Sequence, residues 1–270
     1  MTDREATELS VDEVSVSFGA LVALDRVSLR VRRGEIVGLI GPNGAGKTTL
    51  FNVICGFVRP ASGTISFDGR PLRRHRPHDL AKLGIARTLQ GVGLFPGLTV
   101  LENVLAGAQP QRRSGFLSAL AGVGRSRGEE ARVRHRAERV LAELGIAGYA
   151  DERPGALPYG IAKRAAIARA LVADPSLLLL DEPASGLAAD DMAELARLVS
   201  SLRSRMGVLL VEHRMDFVLA TCERLVVLDF GRVIAAGAPE AVTADPAVAT
   251  AYLGETVRAP DGRPRTAAGR

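Results

Sequence analysis

The sequence predicts an α/β domain with a mainly parallel core sheet, interrupted by a largely helical insert. Three observations carry that prediction. A short apolar run, Glu35–Ile40, is followed by a glycine-rich turn and the apolar stretch Thr49–Cys55, the order strand, loop, helix. A second run, Leu177–Leu180, is continuously apolar, as a central parallel strand buried on both faces must be. Between them, helical patterns from Glu129 and over Tyr159–Leu171 imply a largely helical insert from about Thr99 to Val172.

Taken in order, Val14, Val16 and Phe18 alternate with polar neighbours, which predicts a strand with one buried face. A second strand is expected over Leu24–Val31, and a third over Gly63–Phe67 with a turn at Asp68-Gly69. Residues 107–130 are rich in Gly, Arg and Ser and show little periodicity. From Glu129 the pattern turns helical. Val133, Ala137, Val140, Leu141 and Leu144 share one face, and Gly145 is placed to stop the helix. Tyr159–Leu171 is a further helix, rich in alanine. Strand and helix then alternate again: Asp190–Arg205 helix, Val208–Val211 strand, Met215–Cys222 helix. Leu225–Asp229 and Arg232–Ala236, joined through Gly231, form a closing hairpin. No internal repeat is present.

Composition removes several classes. With 47% hydrophobic and 24% charged residues, the chain is globular rather than disordered. The apolar runs fall far short of the ~20 residues of a spanning helix. Asp3, Glu5 and Glu8 with no apolar stretch argue against a secretory signal at the N-terminus. Cys55 and Cys222 form no CxxC pair and suit a reducing compartment, and the four histidines form no metal-ligand cluster. Of the 35 basic residues only Lys47, Lys82 and Lys163 are lysines, yet the net charge of +5 is a modest field over this length.

The chemistry begins at Gly41-Pro42-Asn43-Gly44-Ala45-Gly46-Lys47-Thr48, which fits GxxxxGK[ST] between a strand and a helix. Glycines let the backbone curl so that successive N–H groups point at phosphate oxygens, and the helix adds its N-terminal dipole. Lys47 is placed to bridge β- and γ-phosphates and the Thr48 hydroxyl to ligate Mg²⁺. The second motif, Leu177-Leu178-Leu179-Leu180-Asp181-Glu182, delivers two carboxylates to the C-terminal edge of a buried strand, where ligands sit in open α/β sheets. There Asp181 is positioned to hold Mg²⁺ and Glu182 to polarise a water that attacks the γ-phosphate.

These features resemble the nucleotide-binding subunit of ATP-binding-cassette (ABC) transporters over nearly the whole chain. The resemblance implies a P-loop NTPase fold of the ABC ATPase type, with an N-terminal antiparallel β subdomain and a helical signature subdomain. It implies one domain over 8–255, with the insert at about 99–172, while the Pro-, Gly- and Arg-rich composition after Leu253 predicts a disordered tail over 256–270. It implies ATP and Mg²⁺ as ligands, with nucleotide contacts from Phe18, Gly41, Pro42, Asn43, Gly44, Ala45, Gly46, Lys47, Thr48 and Thr49. Gln90, in Arg87-Thr88-Leu89-Gln90, matches the glutamine that contacts Mg²⁺ and water and couples to the membrane subunit. His213 matches the switch histidine, so the catalytic set is Glu182, His213 and Gln90 and the metal set Thr48, Gln90 and Asp181. Phe18 matches the aromatic that stacks on adenine, although a core phenylalanine on a strand fits the same position.

The segment that caps the opposite subunit's ATP corresponds to Leu157, Pro158, Tyr159, Gly160 and Ile161. It departs from LSGGQ, but Leu-x-Tyr-Gly resembles the subunits serving branched-chain amino-acid importers. So do Gly91–Val104, Val211-Glu212-His213, Asp229–Ile234 and Ala251–Glu255. Pro158 removes the signature hydroxyl, Ile161 replaces a polar glutamine, and Ala188 stands where Asp or Asn is usual in the loop after Glu182. These losses affect groups presented to a partner's nucleotide, which implies a heterodimer of cassettes with unequal sites. The implied partners are a second ABC ATPase subunit, transmembrane permease subunits and, indirectly, a solute-binding protein. The implied location is the cytoplasmic face of the cell membrane, held there through the permease.

Other readings stay open on the same engine: import of urea or another small amide, or lipid export. A soluble ABC ATPase acting on nucleic acid or ribosomes is the reading from a different class, through Arg70, Arg73, Arg74, Arg76 and the cluster Arg125–Arg139. The short interval between Lys47 and Asp181 leaves no room for the coiled coils of DNA-repair cassettes, and translation-factor cassettes come in tandem. No nucleic-acid partner is expected.

Overall fold

A computed structural model describes residues 8–88, 91–108 and 125–257. Its strands are β1 (Glu8–Phe18), β2 (Leu21–Arg32), β3 (Ile36–Ile40), β4 (Ser62–Phe67), β5 (Arg70–Pro71), β6 (Ile85–Arg87), β7 (Leu177–Asp181), β8 (Gly207–Val211), β9 (Arg224–Asp229) and β10 (Arg232–Gly237). Its helices are α1 (Lys47–Ile54), α2 (Val100–Gly107), α3 (Arg125–Glu143), α4 (Tyr159–Leu171), α5 (Ala189–Leu202), α6 (Met215–Thr221), α7 (Pro239–Thr243) and α8 (Pro246–Val257).

The strands form two sheets. One has four strands in the order β2-β1-β4-β5, with antiparallel pairing throughout. The other has six, in the order β10-β9-β3-β8-β7-β6, parallel except for the β9–β10 hairpin at one edge. The expected mainly parallel core sheet and antiparallel β unit are therefore both present.

The central strands are continuously apolar because each face meets a different core. Ile36, Ile40, Leu178, Leu180, Val208 and Leu210 pack into the cluster shared with α2, α4 and α5. Val37, Leu39, Leu177, Leu179, Leu209 and Val211 point the other way, onto α1 and the antiparallel sheet. Every residue of β3 and β8 is buried. A strand covered on both sides has no polar face to show.

The insert is helical where described. Thr99 caps α2 by accepting from the Glu102 amide, while Glu102 takes the Thr99 amide in return, a capping box. Helix α3 closes through Gly145 at φ 68°, with the Ile146 amide reaching back to the Leu141 carbonyl. Helix α8 runs to Val257, and residues 258–270, most of the expected tail, lie outside the described ones. The edge strands β5 and β6 escaped the sequence reading because two or three residues carry no period. Among the described residues no helix is long and apolar enough to cross a membrane.

Candidate nucleotide site

Strand β3 ends in the centre of the six-stranded sheet, and the loop 41–46 carries the chain from it into α1. Gly41 sits at φ 144° with its α-carbon against the Leu228 carbonyl, where any side chain would collide. Gly46 adopts φ 104°, and a β-carbon there would lie 2.7 Å from the Ala23 carbonyl. Neither position tolerates an L side chain. Gly44, at φ 78°, has open space where its β-carbon would be. The loop closes on its own lysine: Lys47 Nζ donates to the Gly41 carbonyl at 2.6 Å and to the Pro42 carbonyl at 2.8 Å. Helix α1 begins there with no side-chain cap and no acidic residue in its first turn, leaving its positive end open to an anion. Thr48 and Thr49 lie in that turn.

The hairpin end of the antiparallel sheet borders this loop. Phe18 pairs with Leu21, two residues before Ala23, whose carbonyl abuts both Gly46 and Gly231. The Gly231 amide donates to the Ala45 carbonyl at 3.0 Å. Phe18 is exposed, so the core-phenylalanine alternative does not apply.

Strand β7 brings Asp181 and Glu182 to the same edge of the sheet, separated from β3 by β8 alone. Asp181 pairs with Val211, and its amide donates to Thr88 Oγ1 at 3.3 Å. Burial pushes the Asp181 carboxyl above the ordinary carboxylate range, while the Arg87 guanidinium opposes that and Glu182 and Glu212 add to it. Arg87 itself lies between two rings, 5.2 Å from the centre of Phe51 and 5.1 Å from that of Phe57. Glu182 adopts φ 47°, a left-handed conformation rare outside glycine, and its amide donates to the Val211 carbonyl at 2.9 Å. Its Oε1 lies 3.7 Å from His213 Nδ1. The structure thus brings Glu182 and His213 together. Gln90 lies outside the described residues, two positions beyond Thr88.

Two residues with a structural hand in this site are given no role by the sequence reading. Glu212 is fully buried. Its Oε1 accepts from the Ala184 amide at 2.8 Å, and its Oε2 accepts from the His213 and Arg214 amides at 2.8 and 3.1 Å. One carboxylate thereby joins the start of the loop after Glu182 to the histidine. Lys163, buried in α4, donates from Nζ to the Glu182 carbonyl at 3.1 Å. Lysine scarcity was the one available hint for the latter.

The segment Leu157–Ile161 opens α4. Pro158 is its N-cap residue and provides no side-chain cap. Tyr159 is exposed, whereas Leu157 and Ile161 pack partly against the hydrophobic core. Gly160 is buried against α5, and a β-carbon there would meet the Asp191 carboxylate at 2.6 Å. Ala188, the N-cap of α5, likewise offers no side-chain acceptor.

Comparison with known proteins agrees with this architecture. Residues 24–185 match the ABC transporter family, and residues 232–258 match the branched-chain amino acid ATP-binding cassette transporter family. The chain is 40% identical to the high-affinity branched-chain amino acid transport ATP-binding protein LivG of Salmonella typhimurium, over 92% of this chain and 98% of LivG. It is 35% identical to the lipopolysaccharide export system ATP-binding protein LptB of Haemophilus influenzae, over 92% and 97%. Among solved structures, the ADP conformation of an ATP-binding cassette of an ABC transporter superposes with a TM-score of 0.78 at 30% identity, covering 92% of this chain and 99% of that one. With its sheet order, its glycine loop and near full-length relatives in agreement, the chain belongs to the ABC transporter family as a nucleotide-binding, ATP-hydrolysing cassette, in the group that carries the branched-chain amino acid transporter C-terminal segment.

Proposed function

We propose that this cassette binds ATP with Mg²⁺ and hydrolyses it to power import of branched-chain amino acids through separate membrane permease subunits. The observation that carries the reading is the convergence of Lys47, Asp181, Glu182 and His213 on one edge of a sheet whose chain ends in the branched-chain transporter segment. The residues fit the ligands. The Lys47 ammonium already lies among loop carbonyls, and α1 presents an uncapped N-terminus. Among the described residues no group of three or more His, Cys, Asp or Glu could hold a metal alone. A threonine hydroxyl and one aspartate are the sparse oxygen set that Mg²⁺ takes together with phosphates.

In this reading the loop amides and Lys47 hold the β- and γ-phosphates. Thr48 and Asp181, with Gln90, would hold Mg²⁺, which would supply charge neutralisation at the β- and γ-phosphates. Glu182 orients and polarises a water for in-line attack on the γ-phosphorus, and the bond to the β–γ bridging oxygen breaks to release ADP and phosphate. His213, beside Glu182, contacts the γ-phosphate side. Phe18, exposed at the hairpin end next to the loop, offers its ring to adenine.

A second cassette closes over this nucleotide, and Leu157–Ile161 closes over the partner's. Pro158, Ile161 and Ala188 weaken what this chain presents to that partner, while Lys47, Thr48, Asp181, Glu182 and His213 remain for its own site. The pair is therefore a heterodimer in which the site built on this chain's phosphate loop is the better hydrolase. The full assembly adds a solute-binding protein outside the membrane, with this subunit peripheral on the cytoplasmic side. Lipid export is the second reading, favoured by the 35% identity to LptB.

Leucine uptake by cells or vesicles tests the assignment. Lys47→Ala is expected to weaken ATP binding and abolish uptake, and normal uptake by that variant refutes it. Turnover after Glu182→Gln here, compared with the same change in the partner, tests the asymmetry, and equal losses exclude it. A null variant with intact leucine uptake and impaired lipid export selects the second reading.

A further inference from the structure

We propose that Lys163 is a positioning residue for Glu182, tying the helix whose tip faces the partner cassette to the carboxylate that works on this chain's own nucleotide. The inference rests on the reading of Glu182 given above. Glu182 sits at φ 47°, outside the conformations its side chain favours, so its peptide must be held from outside. It is held at both ends. Its amide is pinned by the Val211 carbonyl of β8 at 2.9 Å, and its carbonyl by Lys163 Nζ of α4 at 3.1 Å. The direction in which Glu182 leaves the backbone is set jointly by the sheet and by α4.

The ammonium is otherwise an expensive group to place there. Lys163 is 4% exposed, and among the described residues it forms no direct ion pair, its nearest electrostatic compensation being a Coulombic pull on the Asp181 carboxyl. An interior lysine that forms no ion pair costs stability, which makes a purely structural purpose a poor account of it. Its second contact is the Tyr159 ring, 5.5 Å from Nζ and one turn earlier on the same helix face. That ring also packs on Gly186, where a β-carbon would lie 2.9 Å from Tyr159 Cε1. Tyr159 is exposed at the tip of α4. One unbroken set of contacts therefore runs from Tyr159 through Lys163 to the Glu182 carbonyl, with a branch to the loop after Glu182. Displacement of the α4 tip by a closing partner moves the donor that holds the Glu182 peptide.

The residue type suits the task. The neighbouring Arg164 spends its planar fork on a two-pronged pair with Glu194, at 2.8 and 2.6 Å. At Lys163 the acceptor is a single carbonyl beneath a ring, and a guanidinium there would bury donors without partners. In a chain where only Lys47, Lys82 and Lys163 are lysines, a point charge is what this position requires.

The test uses the cassette copurified with its membrane subunits. Lys163→Met keeps the stem and removes the donor; kcat for ATP hydrolysis is expected to fall about tenfold while KM for ATP moves less than about twofold. Lys163→Gln, which keeps an N–H donor, is expected to recover part of kcat. Unchanged kcat in Lys163→Met, a KM that rises as kcat falls, or identical kcat in the Met and Gln variants would each overturn the proposal. So would failure of both variants to fold, since that makes Lys163 a structural residue. Glu182→Gln measured alongside separates the two claims. If it retains turnover, the reading of Glu182 fails. If it abolishes turnover while Lys163→Met is neutral, only the positioning claim fails.

Discussion

At Glu212 a carboxylate with no solvent contact accepts three backbone N–H groups, from Ala184, His213 and Arg214. A carboxylate buried this way is held by oriented peptide N–H groups, with the His213 ring 3.6 Å from its Oε2. Glu212→Gln would turn an amide donor toward a backbone donor, at a cost of about 2 kcal/mol. Urea unfolding is expected to show that loss, and an unchanged midpoint would contradict it. The same variant should slow hydrolysis, because either the Ala184 amide beyond Glu182 or the His213 and Arg214 amides lose their acceptor. Two other residues are expected to be chemically silent. Burial pushes the Cys55 thiol up to about 11 and the Cys222 thiol up to about 12. Since the thiolate is the nucleophile, both stay protonated and inert at pH 8 while the chain is folded. Mass spectrometry after iodoacetamide should show no label on the native protein and two labels after denaturation. Labelling of the native state would mean that one thiol opens to solvent. At this scale the sequence was legible wherever a residue type has one use. GxxxxGK[ST] announces Lys47, but nothing local marks Glu212, whose partner Ala184 lies 28 positions away.

Among the elements, α4 is held on two sides. Against α2, the Gly107 α-carbon meets the Arg169 carbonyl so closely that a β-carbon there would overlap it. Gly107→Ala is therefore expected to force the helices apart and to cost about 2 kcal/mol, read as a lower thermal midpoint; a midpoint equal to that of the parent would show that the contact can relax. Against α5, buried Arg164 grips Glu194 with both arms of its guanidinium and lies 3.7 Å from Asp191. Glu194→Ala leaves that guanidinium with the Asp191 contact alone, and a loss of about 2 kcal/mol is expected in the same assay. These contacts give α4 a fixed stance from which Lys163 reaches Glu182. The long elements were legible because their periods were. Strand β7 read as a doubly covered strand from its unbroken leucines, and α3 from its apolar face with Gly145 at the end. Helix ends differed by a residue or a few, as at α5, which stops at Leu202 rather than Arg205. Strand β1 begins at Glu8, earlier than its clearest alternation, because pairing on both sides, with β2 and β4, extends it.

For the molecule as a whole, the departures at Pro158, Ile161 and Ala188 bear on the composite site proposed above, which this chain would only half build. Hydrolysis by the isolated chain is expected to be slow and to rise more steeply than linearly with its concentration, because two cassettes must meet. Adding a partner cassette with an intact LSGGQ segment should raise turnover per site. A rate strictly proportional to concentration, unmoved by that partner, would remove the need for a pair. The arginine excess also reads differently at this scale. Arg30, Arg32, Arg134, Arg203, Arg205 and Arg232 form ion pairs on solvated faces, and Arg224 forms a partly buried one. Such pairs contribute little stability each, and they account for a fifth of the 35 basic residues without a ligand.

The sequence by itself determined the α/β class, the parallel core, the phosphate loop and the carboxylate pair. Each of these depends on neighbours a few positions apart, where backbone geometry and burial period leave a direct imprint. Only the tertiary structure decided how those parts are held. The links from Lys163 to Glu182, from Asp181 to Thr88 and from Glu212 to Ala184 join residues 19, 93 and 28 positions apart. Such contacts arise from the packing of α4, β6, β7 and β8 around one sheet edge. No local pattern encodes a hydrogen bond whose donor and acceptor meet only after the chain has folded between them.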